Sequence, residues 1–133
     1  YWSKNTRNDN YTYSELEDIF ANADVIVPAF AHNEETDAII TDELLGKMKP
    51  SAIVVDIIEL KNKDKLIEMV KAGKLFGYGF EAEPKTFAEY EGNIWSAPAY
   101  AWVTDGSMNN SMTKLVENMV NAVNGNFPNR VNQ

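Results

Sequence analysis

The chain has 133 residues and a formal net charge of −8; apolar residues make up 44% of it and charged residues 24%. This composition is typical of one soluble globular domain, and the excess of acid, with no basic patch to offset it, excludes nucleic acid as the expected partner. No apolar run approaches the length that spans a membrane, and the lack of cysteine excludes a disulfide framework and favours a cytoplasmic location.

The first part of the chain contains one predicted helix and one predicted strand. Residues 1–7 are interpreted as the last residues of a strand that runs into a polar loop. The chain opens on Tyr1 without a methionine, so we expect a fragment of a longer protein. Ser14 and Glu17 have the spacing of a capping box and predict the start of a helix. Residues 25–27 are a short β-branched run that predicts a buried strand.

The central stretch predicts a helix followed by a strand that is buried on both faces. Thr41 is the expected N-cap of the helix, and Pro50 follows its last turn. Residues 52–55 form a continuous apolar run, as in the strands of a parallel sheet. Asp56 stands where this run ends. Because ligands of open parallel sheets bind outside the carboxyl ends of the strands, this strand points to the expected site.

A further helix and two further strands are predicted beyond the central strand. Asn62 is the expected cap of a helix over about residues 63–71, which Gly73 ends. Residues 75–80 and 93–97 are predicted strands. Because strands alternate with helices at this spacing, we expect βαβ units in a parallel sheet, which is an α/β fold.

The last helix has the clearest periodicity of the chain, and Gly125 closes it. We interpret its apolar stripe as core packing, since methionine-rich stripes usually fill cores. The stripe repeats at i, i+4, i+7 and i+8 and consists of Met108, Met112, Leu115, Val116, Met119, Val120 and Val123.

One apparent nucleotide-binding motif is set aside. Residues 77–82 match the pattern G-x-G-x-x-A, which needs a helix to begin inside it so that the helix amides can hold a pyrophosphate. Glu83 and Pro84 follow the match, and no periodic helix starts there. We therefore interpret the match as accidental.

A series of short anchors runs through nearly the whole chain in a specific order. They are residues 23–27, 35–36, 47–50, 52–55, 71–75, 77–80, 83–84 and 129–132. In this order they resemble the second half of the D-isomer-specific 2-hydroxyacid dehydrogenases. The resemblance implies a Rossmann-like parallel sheet flanked by helices, a partial NAD(P)-binding domain over residues 1–133 that is incomplete at its N-terminal side. The family's first strand, glycine-rich loop and substrate-binding domain have no counterpart.

The resemblance also implies an interrupted sheet. The family's first strand would lie between the strand of residues 25–27 and that of residues 52–55, so we expect a gap or a rearrangement at that place. Exposed strand edges invite pairing with another chain, so we expect a homo-oligomer such as a dimer.

The family uses three catalytic side chains: an Arg for the substrate carboxylate, a His for the hydroxyl proton and a Glu that orients the His. Glu59 stands at the Arg position, although moving a two-residue gap upstream would place Ile57 there instead. Ala99 stands at the His position. Glu83 matches the Glu. The resemblance therefore implies one catalytic residue, Glu83, and a chain that is inactive by itself.

The resemblance implies NAD or NADP as the cofactor, bound weakly without the glycine-rich loop. NAD-using members have an acid at the end of the second strand, where this chain has basic residues that would suit a 2′-phosphate, as in NADP-preferring members. An equally open interpretation is that these are ordinary basic loop residues. The residues assigned to cofactor binding are Ser3, Lys4, Arg7, Phe30, Ile57 and Glu81.

His32 is the only histidine of the chain and follows the strand of residues 25–27. A lone histidine in a loop is usually a surface residue, and the family's catalytic His is not located there. With one His, no Cys and no paired carboxylates on a common face, the sequence predicts no metal site.

Two functions remain open. The first is an oxidoreductase that moves hydride between a nicotinamide cofactor and a small 2-hydroxy or 2-oxo acid, present as a fragment. The second is a non-catalytic relative that binds nucleotide or serves as an interaction scaffold. Glu59 and Ala99 favour the second function, whereas the series of anchors favours common descent with the enzymes.

Overall fold

The computed structural model describes residues 1–31, 33, 35–82, 90–100 and 103–129. These residues belong to two compact units, Tyr1–Pro98 and Ala99–Gln133. In the described residues, the first unit has a sheet with three helices, and the second has one helix. No helix of the described residues is long and apolar enough to cross a membrane.

A four-stranded sheet forms the centre of the first unit. Its strands are β1 (Val25–Ile26), β2 (Ile53–Asp56), β3 (Gly77–Glu81) and β4 (Ile94–Ala97), hydrogen-bonded in that order. All three neighbouring pairs are parallel, which confirms the predicted α/β class and, within two residues at each end, the four predicted strands. Because every strand runs the same way, the four carboxyl ends meet at one edge of the sheet.

The helices of the first unit are α1 (Leu16–Asn22), α2 (Asp42–Gly46) and α3 (Lys63–Lys71). Thr41 caps α2 as predicted, since its hydroxyl accepts a hydrogen bond from the Leu44 amide at 3.2 Å. Gly73 ends α3 as predicted, with a φ of 68° that glycine adopts without steric cost. Asn62 occupies the N-cap position of α3, but its side chain makes no capping bond and donates instead to Asp42.

The core lies on one face of the sheet. Alternate residues of a strand point to opposite faces, and one row across the four strands, Ile26, Val54, Tyr78 and Ile94, is buried. The three helices add apolar side chains to the same core, among them Phe20, Leu45, Leu66, Ile67 and Met69.

The opposite face of the sheet carries an exposed row among the described residues. Val55 and Trp95 flank Gly79 in one row across β2, β3 and β4, and the Trp95 side chain is 74% exposed. Parallel sheets are usually covered on both faces. The exposed row is therefore a departure from the two-sided burial that the apolar run of residues 52–55 predicts.

The expectation of a gap between the first two strands is wrong, because β1 and β2 pair directly. Val25 pairs with Ile53 and Ile26 with Val54, and the Ile53 amide donates to the Asp24 carbonyl at 2.9 Å. These two strands follow one another in the chain, joined by α2, and their facing backbone groups satisfy each other directly. The two edges of the described sheet are instead the outer sides of β1 and β4.

Two predictions for the N-terminal segment are also wrong. Residues 1–7 form no strand, because no described strand lies beside them to pair with. Ser14 does not cap α1: the N-cap is Glu15, without a side-chain capping bond. The Ser14 amide donates to the Tyr1 carbonyl at 2.9 Å, so backbone contacts with the N-terminus hold this corner.

The second unit contains α4 (Asp105–Val123). Thr104 and Ser107 form a capping box at its start, which the sequence reading missed, and Gly125 follows its end with a φ of 74°. The prediction that its apolar stripe is core packing is wrong, since every member of the stripe is exposed. The described part of this unit offers no second helix or strand for the stripe to pack against.

Two glycines of β3 provide a matched test of the packing. A Cβ at Gly77 would lie 2.6 Å from Nδ2 of Asn93, which donates to the Phe76 carbonyl at 3.0 Å. We expect Gly77→Ala to displace Asn93 and lower the free energy of unfolding by about 1–2 kcal/mol in chemical denaturation. Gly79→Ala is the control, because its Cβ would enter open space. Equal losses in both variants would contradict this packing.

Candidate functional site

The carboxyl edge of the sheet brings together three of the residues assigned to the cofactor. Phe30 lies in the loop after β1, Ile57 follows β2 directly, and Glu81 is the last residue of β3. Asp56 pairs with Phe80 across the two inner strands, so Ile57 and Glu81 leave the sheet side by side. This edge is where ligands of open parallel sheets bind.

A cavity of about 530 Å³ lies between the N-terminal segment and the loop after β1. Three residues assigned to the cofactor, Ser3, Lys4 and Phe30, line it together. The volume is in the range of small-molecule sites. Sequence reasoning gave no role to the other lining residues, although one of them belonged to an anchor; they are Trp2, Asn5, Thr6, Ala29, Ala31, Thr36 and Ile39.

Lys4 supplies the positive charge of this cavity and is paired with an acid. Its Nζ donates to Oε2 of Glu35 at 2.5 Å. This hydrogen bond, with the charge of Lys4, lowers the pKa of Glu35. Both side chains are exposed, and exposed ion pairs are weak. An anionic ligand can therefore compete with Glu35 for Lys4.

Arg7 is not among the residues that line the cavity. Its guanidinium carbon lies 3.6 Å from the centroid of the Tyr13 ring, a cation–π contact. Nη1 donates to the carbonyl of Ser3 at 2.8 Å and to that of Thr6 at 3.1 Å. Arg7 therefore contacts Tyr13 and its own loop, and these contacts shape the loop that carries Ser3.

The loop after β2 is held by a buried carboxylate that sequence reasoning left without partners. Asp56 is 1% exposed and is the buried charged residue of the described chain. Its oxygens accept hydrogen bonds from the amides of Ile58 at 3.0 Å and Leu60 at 2.9 Å, and from the hydroxyl of Tyr78 at 2.8 Å. Burial, and next the hydrogen bond to Asp56, raise the pKa of Tyr78 far above its usual range.

Glu59 is the corner of the same loop. Its φ of 58° makes it the one non-glycine residue with a positive φ in the described chain, and it lines a small cavity with Phe30. The nearby lysines have other partners, since Lys61 forms an ion pair with Asp37 at 2.6 Å and Nζ of Lys63 lies 4.1 Å from the Phe80 ring centroid. Glu59 therefore places an exposed carboxylate at the carboxyl edge.

The remaining residues singled out in the sequence lie elsewhere. Glu83 and His32 fall outside the described residues. Ala99 is exposed and belongs to the second unit. Among the residues that the structure describes, no group of three His, Asp or Glu side chains could hold a metal ion.

The parallel sheet, the helices packed on it and the cavity at its carboxyl edge define a Rossmann-like α/β domain. Residues 1–102 match the family described as D-isomer specific 2-hydroxyacid dehydrogenase, NAD binding domain. The chain belongs to this family, which confirms the resemblance found in the sequence.

Similar proteins include three of interest. D-lactate dehydrogenase from Lactobacillus delbrueckii subsp. bulgaricus is 29% identical over 86% of this chain and 41% of its own. The NAD-complexed structure of a D-isomer specific 2-hydroxyacid dehydrogenase from Lactobacillus delbrueckii ssp. bulgaricus matches 96% of this chain and 46% of its own with a TM-score of 0.76 and 20% identity. An acyclic imino acid reductase in complex with NADPH and D-Arg matches 96% of this chain and 44% of its own, with a TM-score of 0.76 and 22% identity.

The chain spans less than half the length of these relatives. At such low identity the two structures support the fold alone. The activity and substrates of the whole relatives are therefore not established for this chain by the match.

The backbone of Glu59 can be tested by comparing two variants that both remove its carboxylate. A left-handed conformation costs a residue with a Cβ on the order of 1 kcal/mol, which glycine avoids. We therefore expect Glu59→Gly to exceed Glu59→Ala in free energy of unfolding by about 1 kcal/mol in urea titration. A Glu59→Ala variant that is as stable as Glu59→Gly would show that the loop does not hold this conformation in solution.

Proposed function

We propose that this chain, as a partial NAD(P)-binding domain over residues 1–133, holds a nicotinamide nucleotide weakly and does not by itself turn over a 2-hydroxy acid. The observation that carries the proposal is the cavity of about 530 Å³ beside the carboxyl edge, where Ser3, Lys4 and Phe30 meet. The relatives complexed with NAD and NADPH support the class of cofactor. The family supports a 2-hydroxy or 2-oxo acid as the substrate of the parent enzymes.

The residues of the cavity fit the adenosine half of such a cofactor. Phe30 and Ile39 offer apolar surface for a base, whereas Ser3 and Lys4 offer polar groups for a ribose and its phosphate. When bound, the cofactor would supply or accept hydride. The chain contains no glycine-rich loop to bring backbone amides to a pyrophosphate. We therefore propose a dissociation constant in the millimolar range, about 4 kcal/mol of binding free energy.

We further propose that NADP is preferred over NAD, through Lys4. Arg7, the other basic residue assigned to the cofactor in the sequence, is engaged with Tyr13 and with its own loop. Lys4 lines the cavity, and its partner Glu35 is exposed and exchangeable. A 2′-phosphate can replace the Glu35 carboxylate at Lys4.

This preference is tested with adenosine 2′,5′-bisphosphate and 5′-AMP as probes, titrated by NMR. We expect the bisphosphate to bind the unmodified chain about threefold more tightly, and Lys4→Met to abolish the difference, because one exposed charge pair contributes less than about 1 kcal/mol. Glu35→Gln should increase the difference, since it frees Lys4. Arg7→Met is the matched control for charge.

Two outcomes would overturn these proposals. Micromolar binding of NAD, titrated in the same way, would show that the missing glycine-rich loop does not limit affinity. A preference for the bisphosphate that survives Lys4→Met and disappears in Arg7→Met would assign the preference to Arg7 and not to Lys4.

The proposed lack of turnover rests on charge at the carboxyl edge. A 2-oxo acid carries a carboxylate, and the family's resemblance places its Arg where this chain has Glu59. Two like charges about 4 Å apart repel by roughly 4 kcal/mol at an effective dielectric constant near 20. Ala99 at the His position also removes the proton donor, and a positioned acid or base typically contributes about 10²–10⁴-fold.

The turnover proposal is tested by following NAD(P)H oxidation with small 2-oxo acids. We expect no steady rate from the unmodified chain. In a chain extended upstream by a glycine-rich half, Glu59→Arg together with Ala99→His should raise activity far more than either change alone, because each group needs the other. A steady rate from the unmodified chain that is proportional to its concentration and lost in Glu83→Gln would contradict the proposal.

A second candidate function is an interaction scaffold that associates with itself as a homo-oligomer in the cytoplasm. The observation that favours it is exposed apolar surface, namely Trp95 in the exposed row of the sheet and the stripe of α4. Sedimentation separates the two candidates. Association that Trp95→Ser abolishes, in a chain that binds no nucleotide probe, would favour the scaffold.

A further inference from the structure

The buried carboxylate of Asp56 links the loop after β2 to the neighbouring strand β3. Its carboxylate accepts three hydrogen bonds, two from the backbone of its own loop and one from Tyr78 on β3. A buried carboxylate without partners would strongly destabilise the fold. Each of the three donors therefore stabilises the buried carboxylate.

The two loop amides that donate to Asp56 flank Glu59, the residue with a positive φ. Ile58 precedes Glu59 and Leu60 follows it, and both amides point at the one carboxylate. A positive φ at a residue with a Cβ persists only where its surroundings determine it. The carboxylate thus accounts for the conformation of Glu59.

Tyr78 fixes the carboxylate from the neighbouring strand. Its side chain is fully buried, and its ring stacks on Phe80 with centroids 5.0 Å apart. The packing around the ring therefore fixes the position of the hydroxyl donor, whereas the side chains of an exposed ion pair such as Lys4 and Glu35 are not held by packing. Asp56 links a rigid point on β3 to a loop that turns at the carboxyl edge.

We propose that Asp56, anchored by Tyr78, is a positioning residue that preforms residues 57–60 for a nucleotide bound at the carboxyl edge. The inference rests on the proposed nucleotide binding and deepens it by naming the residue that keeps the loop in its binding conformation. Asp56 is buried and acts through the backbone, so its effect reaches the ligand through Ile57 and Glu59. A loop that had to be ordered on binding would lower the affinity.

The test uses Asp56→Asn, which is nearly the same size. An amide side chain offers one acceptor oxygen in place of two, so one of the two loop amides loses its partner. We expect faster hydrogen exchange at Ile58 or Leu60 and about fivefold weaker binding of NADPH in NMR titration, since the corner at Glu59 must then be ordered on binding. Asp56→Ala should release both amides.

Gly77→Ala is the control for general loss of stability, because it perturbs the amino end of β3 beside Asn93. It should leave exchange at Ile58 and Leu60, and the affinity for NADPH, unchanged. Tyr78→Phe should give a partial effect, since it removes the anchor and leaves both loop amides their acceptor.

The outcomes separate this inference from the proposed function. If the unmodified chain binds NADPH and Asp56→Asn binds it equally well, or if Gly77→Ala weakens binding as much, the positioning role is overturned and the binding function stands. If the unmodified chain binds no NADPH at its solubility limit, the proposed function fails, and the positioning role fails with it.

Discussion

The backbone pairing of β2 with a parallel strand on each side is the constraint on which the rest of the first unit depends. The Ile53 amide donates to the Asp24 carbonyl, and the Ala52 carbonyl accepts from the amide of Phe76. With both neighbours fixed, the chain must leave all three strands at the same edge. The loops that carry Phe30, Ile57 and Glu81 meet there for that reason and not because their own sequences attract one another.

The carboxyl edge of this chain is acidic where its family resemblance places a cation. The carboxylate of Asp56 is buried and accepts hydrogen bonds from its own loop, whereas the side chain of Glu59 is exposed. A positive charge, that of Lys4, lies in the lining of the cavity together with Phe30. In the proposed function, binding rests on Lys4 and the lack of turnover on Glu59, which belong to different parts of the chain.

Sequence patterns correctly predicted those helix ends that depend only on residues within one helical turn. Thr41 caps α2 and Gly73 ends α3 as their sequence positions indicate, because a side-chain oxygen and a left-handed glycine act within one helical turn. Ser14 is not the cap because the helix begins one residue later, with Glu15 at the N-cap; the Ser14 amide bonds to Tyr1, a partner that no local pattern reveals. The stripe of α4 was recognised as a helix face, yet periodicity states only that a face is apolar and not what covers it.

Of the candidate site, the sequence by itself determined which residues could serve: the family anchors, the acid at Glu59 and the basic residues of the N-terminal segment. Only the tertiary structure decided which of them meet. It placed Lys4 in a cavity with Phe30 and turned Arg7 onto Tyr13, and it paired the first two strands where a gap was expected. The reason is physical: a strand or a helix end is fixed by residues within a few positions along the chain, whereas the partner of a buried carboxylate such as Asp56 is a hydroxyl 22 positions away, brought near by the packing of the whole sheet.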